Sequence, residues 1–130
     1  MSKLKCFLLG MLGAIVVLAA AAVLAPLYCD YDARAALSES LQQLAPYRDA
    51  IEENISKEDS IDVSGVVVSI PSEAFRSLNL DYARVFPDGT IVIRHAKHHQ
   101  VIIWEPSMTA GQISWRCVGG PRKDVPPECR

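Results

Sequence analysis

The sequence predicts an α+β fold in which a long N-terminal helix, membrane-spanning in its first half, packs on a small antiparallel β-sheet with a disulfide-closed C-terminal loop. Three observations predict it. No charged residue occurs from Cys6 to Cys29, a run of 24, and about 20 helical residues at about 1.5 Å each cross a bilayer core. Leu37, Leu41, Leu44, Ile51 and Ile55 then recur at helical spacing. After Lys57-Glu58-Asp59 the pattern changes to period two or short β-branched runs.

The 130 residues are 50% hydrophobic and 22% charged, which excludes a disordered tail and leaves room for one soluble domain beyond the apolar run. The net charge of −2 argues against a dedicated nucleic-acid or anionic-membrane binder. Lys3 and Lys5 precede the apolar run, and Asp30 and Asp32 follow it. The positive-inside rule therefore places the N-terminus in the cytoplasm and the C-terminal domain outside. The expected organisation is a cytoplasmic tip and transmembrane helix at 1–29, then an exported domain at 30–130. A cleaved secretory signal would have an apolar region of about 7–15 residues. Its best small-residue site, Val23-Leu24-Ala25, is followed by a blocking Pro26. Cys29 follows Leu27-Tyr28 and Cys6 follows Leu4-Lys5, so a lipoprotein signal is not matched either. A retained anchor is expected.

A soluble domain of this size has a modest core and is expected to need extra fastening. No Cys-x-x-Cys occurs, so neither a zinc ribbon nor a thioredoxin-like site is supported. Cys6 falls at the cytoplasmic end and stays reduced. Cys117 and Cys129 fall in an oxidising compartment, where closing a loop of that size stabilises by about 3 kcal/mol. Cys29 is left over at the outer membrane surface, as a lipid-level or packed thiol or as a dimerising one.

Taken in order, the helix is expected to run from the membrane to about Asn54, with Pro26 and Pro46 as the places for a kink. Its stripe is too short for a coiled-coil seam and is assigned to covering the sheet. Val66-Val67-Val68-Ser69-Ile70 reads as a strand. Pro71-Ser72-Glu73 starts a short helical turn. Tyr82–Phe86 is a strand ended by the turn Pro87-Asp88-Gly89. Thr90–Arg94 and Gln100–Trp104 form a hairpin around His95–His99, and Gly111–Cys117 is the last strand. The tail from Val118 to Arg130, with two Gly and three Pro, is a loop pinned by Cys129.

Two stretches carry a family likeness. Ala25-Pro26-Leu27-Tyr28-Cys29-Asp30-Tyr31-Asp32-Ala33-Arg34 with Ser38-Glu39-Ser40-Leu41 is similar to the membrane exit and long helix of type IV pilins. Gly111-Gln112-Ile113-Ser114-Trp115-Arg116-Cys117 with Val125-Pro126-Pro127-Glu128-Cys129-Arg130 resembles their last strand and disulfide-closed C-terminal loop. The resemblance covers roughly residues 14–56 and 82–130. It implies a ladle-shaped pilin-like fold, an inner-membrane location before assembly, and other pilin subunits or the assembly machinery as partners. Family members also have a short basic leader ending in Gly, then Phe or Met, then a Glu four residues further. Aligned on Pro26, those positions fall on Leu4, Lys5 and Leu9. The expectation that follows is a chain that keeps its N-terminal residues and resists the leader peptidase.

Enzyme chemistry is not indicated, because Gly-x-Ser-x-Gly, a phosphate-binding Gly-rich loop and His-Glu-x-x-His are all missing from the sequence. No catalytic residue, cofactor or metal is expected. His95, His98 and His99 read as a solvated turn rather than a metal site, since adjacent strand residues point to opposite faces. Trp104 and Trp115 read as sheet core or edge aromatics. Charge is uneven: Tyr28–Asp88 holds 5 Lys/Arg against 12 Asp/Glu, and Gly89–Arg130 holds 6 against 3. Some pilins bind DNA, and Arg94, Lys97, Arg116, Arg122, Lys123 and Arg130 form the basic rim that would suit phosphate. The same asymmetry also suits subunits packing acidic face to basic face. Three functions follow: a structural or minor pilus subunit used in adhesion, twitching or DNA uptake; an unassembled inner-membrane accessory that binds pilins or the machinery; or an anchored module that captures DNA or a host surface ligand.

Overall fold

The computed structural model describes residues 2–130. The chain forms two compact units, residues up to Asp32 and Ala33–Arg130. Helix α1 runs over Ser2–Gln43 and contains Pro26 without being ended by it. It is long and apolar enough to cross a membrane, with a mean hydropathy of 2.7 in a window that is 0% buried. Phe7, Leu12, Leu18 and Leu24 are among its exposed apolar side chains.

The expected single helix to Asn54 is two helices. Pro46 has no N–H to donate, and its ring crowds the carbonyl four residues back, so the ladder breaks at Leu44. Helix α2 then covers Ala45–Glu58, with proline in its first turn, where a missing N–H costs nothing. It stops at Asp59, whose φ of 51° is left-handed. The apolar stripe continues across the break. Leu37, Leu44, Ile51 and Ile55 are fully buried and Leu41 is nearly so.

The stripe covers a four-stranded antiparallel meander in the order β1 (Leu80–Val85), β2 (Ile91–His95), β3 (Val101–Thr109) and β4 (Gln112–Gly120). Ile91, Ile93 and Ile102 supply the centre of its inner face, and Ala83, Val85, Trp104, Trp115 and Cys117 its margins. β3 and β4 are each longer than the alternation suggests. They pair from Val101↔Gly120 to Thr109↔Gln112, whereas β2 accompanies β3 only from Val101 to Trp104. Pro106 lies in the part of β3 that has β4 alone as neighbour, the kind of position where a sheet tolerates proline.

Val66–Ile70 does not form the expected strand. Successive tight turns hold the segment instead, with Ser64 N–H to Ile61 O (3.2 Å), Val66 N–H to Val63 O (3.2 Å) and Val68 N–H to Gly65 O (3.2 Å). Gly65 explains the override. Its N–H donates to Pro87 O at 2.9 Å, and a Cβ there would lie 1.9 Å from Phe86 O. The backbone docks edge-on against the β1–β2 turn, which no extended run in a ladder can do. The short helix α3 (Ala74–Ser77) follows, as Pro71-Ser72-Glu73 indicates.

Candidate functional site

The C-terminal loop is built onto the helix and the sheet at several points. Cys117 lies on β4 and is joined to Cys129, twelve residues later, with their Cα atoms 4.5 Å apart. Cys129 ends a 3-10 turn over Pro127–Cys129. Val125 and Cys129 are fully buried. Gly119 makes room for this: a Cβ there would lie 2.4 Å from Ile102 Cδ1 and 3.2 Å from Val125 Cγ1.

Two polar groups hold loop to helix. Gln100 is fully buried, and its amide nitrogen donates to Ala33 O at 2.8 Å and to Asp124 O at 2.9 Å. With the two hydrogens of its amide nitrogen, one side chain thereby satisfies a carbonyl on α1 and one on the loop. Arg34 donates to Lys123 O at 3.0 Å. Farther along the helix and the sheet, Trp115 Nε1 donates to Glu52 Oε1 at 2.6 Å, and Trp104 meets Trp115 edge to face at 6.4 Å. The Arg48 guanidinium lies 5.4 Å over the Trp104 ring. A hollow of about 350 Å³ lies here, lined by Ser38, Leu41, Gln42, Arg48, Trp104 and Glu128.

The six basic residues of the predicted rim are not one free patch. Arg122 and Lys123 belong to the disulfide-closed loop and Arg130 follows it; all three are exposed, with Arg130 Nε donating to Val125 O at 3.3 Å. Arg94 lies on the outer face of β2, bonded to Asp81 at 2.8 Å. Arg116 lies on the outer face of β4, ion-paired with its cross-strand neighbour Glu105. Lys97 is exposed in the β2–β3 turn. Arg94 and Arg116 therefore already have carboxylate partners within the chain. Sequence reading missed Gln100, Arg34 and Glu52. Gln100 stands in phase with the inward Ile102, so a buried amide was legible there.

The histidines separate. His95 is fully buried and His99 is exposed, 3.8 Å from Asp81. The His98 N–H donates to His95 Nδ1 at 3.4 Å, and the two rings stack at 5.6 Å. Among the described residues, no three metal-ligating side chains converge. Burial holds the His95 pKa below the ordinary histidine value; His98, Lys97 and His99 add to this, and Asp81 opposes it. As pH falls through about 6.5, the unfolded chain takes up the His95 proton first, so stability drops toward the lower folded pKa. The urea midpoint is expected to be lower at pH 5.5 than at pH 7.5, and His95→Gln is expected to flatten that difference. An equal pH dependence in the variant would locate the effect elsewhere.

A family model described as Pilin (bacterial filament) matches residues 33–130. The chain belongs to the pilin family. The matched residues coincide with the second compact unit, the pilin head of helix, sheet and disulfide-closed loop. Comparison with curated proteins and with solved structures gives no match. As a family member the chain is a pilin-like structural subunit, of a kind that assembles with other pilin subunits into filaments.

Proposed function

We propose that this pilin is a structural or minor subunit of a type IV pilus or related surface filament, held in the inner membrane by α1 with its head in the periplasm until assembly. The carrying observation is the family match over the whole head, in which helix stripe, sheet and loop share one core. Such a head is a rigid unit suited to repetition, and its work is association rather than chemistry. Filaments sheared from cells that express the tagged chain together with a pilus assembly machinery are expected to contain it. Confinement of the chain to the inner-membrane fraction, in cells that do shed filaments, would refute this reading.

A second reading is a membrane-resident accessory that binds pilins or the assembly machinery. It is favoured by the apolar run itself, which has no carboxylate from Cys6 to Cys29 and has Leu9 where the family pattern puts Glu. A buried charge pair inside a helix bundle needs both partners. Under this reading the chain stays in the membrane and co-purifies with pilins.

A further inference from the structure

Two exposed apolar patches lie outside the head's core. The first is on the 59–70 loop, where Val63, Val66 and Val67 are 50%, 63% and 81% exposed. They border a hollow of about 340 Å³ together with Asn54, Lys57 and Glu58. Glu58, Asp59 and Asp62 are exposed along the same stretch of chain. The loop is not loose. Gly65 is bonded to Pro87 O at 2.9 Å, and the Asn54 amide donates to Ser64 O at 2.9 Å beneath the valines. The second patch is the outer face of the sheet. The strand register sets Arg84, Val92, Ile103 and Val118 in one row across all four strands, and Tyr82, Arg94 and Val101 in the next. Val101, Tyr82 and Val118 are 39%, 41% and 44% exposed.

Single exposed valines are ordinary, but contiguous ones mark contact surfaces. The charges around the two patches are opposite in sign. Acids flank the valine loop beside the single cation Lys57, whereas around the sheet patch Arg84, Arg94 and Arg116 outnumber Asp81 and Glu105, which pair with the last two. Arg84 forms no ion pair among the described residues; its guanidinium lies 5.0 Å over the Phe86 ring. The occupant that matches each patch in both apolar character and charge is therefore the other patch, on a second copy of this chain.

We infer that the valine loop of one copy docks on the outer sheet face of the next, Val66 and Val67 against Val92, Val101, Ile103 and Val118, with the acids of the loop facing Arg84 and Arg94. Two different surfaces meet, so the contact is head-to-tail and repeats without closing. The inference rests on the filament-subunit reading and adds to it which faces of the head meet.

The test uses the full-length chain in its membrane and in sheared filaments, with Cys6→Ser and Cys29→Ser to remove the free thiols. Val67→Cys and Val101→Cys are added at exposed positions, and the sample is mildly oxidised. A ladder of disulfide-linked multimers is expected from the doubly substituted chain. Co-expressed single variants are expected to give dimers only, and each single variant alone no product above background. Arg84→Glu in the doubly substituted chain is expected to cut the linked fraction about fivefold or more, and Asp62→Arg to restore it by reversing the charges together. Val67→Cys chains that link to one another as readily would mean a two-fold contact and overturn the proposal. Absence of the ladder from both membranes and filaments overturns it too, while visible filaments leave the subunit reading standing. A ladder in membranes of cells whose machinery excludes the chain from filaments would overturn the subunit reading alone. Recovery of Val67→Cys linked only to an unrelated protein would assign the loop to another partner and overturn the inference.

Discussion

Replacing Cys129 by Ala is expected to lower the stability of the head by about 2–5 kcal/mol, and replacing Cys117 by Ala to cost the same. The crosslink closes a loop of twelve residues, for which the chain-entropy model gives about 3 kcal/mol. In the native state it holds Val125 and Cys129 in the core, and it keeps the loop carbonyls in reach of Gln100 and Arg34. Without it the loop regains freedom in the unfolded chain, and those contacts have to be kept by packing alone. The measurement is urea unfolding of the full-length chain in detergent, followed by fluorescence. The chain has 2 tryptophans, both in the head, so the signal reports that unit. The double variant is expected to cost no more than either single one, since one bond is lost in each case. A double variant that costs the sum, or singles that do not shift the midpoint, would show that the crosslink does not fasten the head.

How far the fold was legible depends on which forces set each segment. The stripe from Leu37 to Ile55 was readable because helical period and burial coincide there, even across the break at Leu44. The strands were readable where alternation decides burial, as at Ile91, Ile93 and Ile102. Val66–Ile70 was misread because four β-branched residues in five look like a strand whether or not a partner strand accepts them. Its geometry is set by a tertiary contact, the approach of Gly65 to Phe86 and Pro87, which no local pattern records. The extra length of β3 was hidden by Pro106, which counts against a strand until one knows that β2 has already ended. The basic rim was legible as composition but not as a surface, because the pairing of Arg94 with Asp81 and of Arg116 with Glu105 depends on strand register. Gln100 was the reverse case: its inward phase was available, but its two acceptors come from residues 33 and 124, far away in sequence.

Truncating Ile51 to Ala is expected to destabilise the head by about 2–5 kcal/mol. Ile51 is fully buried on α2. Its Cγ2 would come within 2.8 Å of a Cβ at Gly89, a point also bordered by Ser64 Oγ at 2.6 Å and Pro106 Cγ at 3.0 Å. The side chain therefore fills the meeting place of the helix, the 59–70 loop, the β1–β2 turn and β3. Four segments of fixed backbone border the space, so little of it can collapse, and each unfilled Å³ costs about 24 cal/mol beyond the lost transfer energy. Ile51→Val leaves most of the volume occupied and is expected to cost about 0.5–1.5 kcal/mol. Ser56 on the same helix is exposed, its hydroxyl donating to Glu52 O at 2.9 Å, so Ser56→Ala is expected to change stability by no more than about 0.5 kcal/mol. The order Ala worse than Val at 51, with Ser56→Ala near zero, is the signature of a helix face packed on the sheet. If Ile51→Ala unfolds at the same urea concentration as Ser56→Ala, the helix does not cover the sheet at this site. The fixed loop that presents Val63, Val66 and Val67 would then lose its support as well, because Ile51 and Ser64 are packed at the same point beneath it.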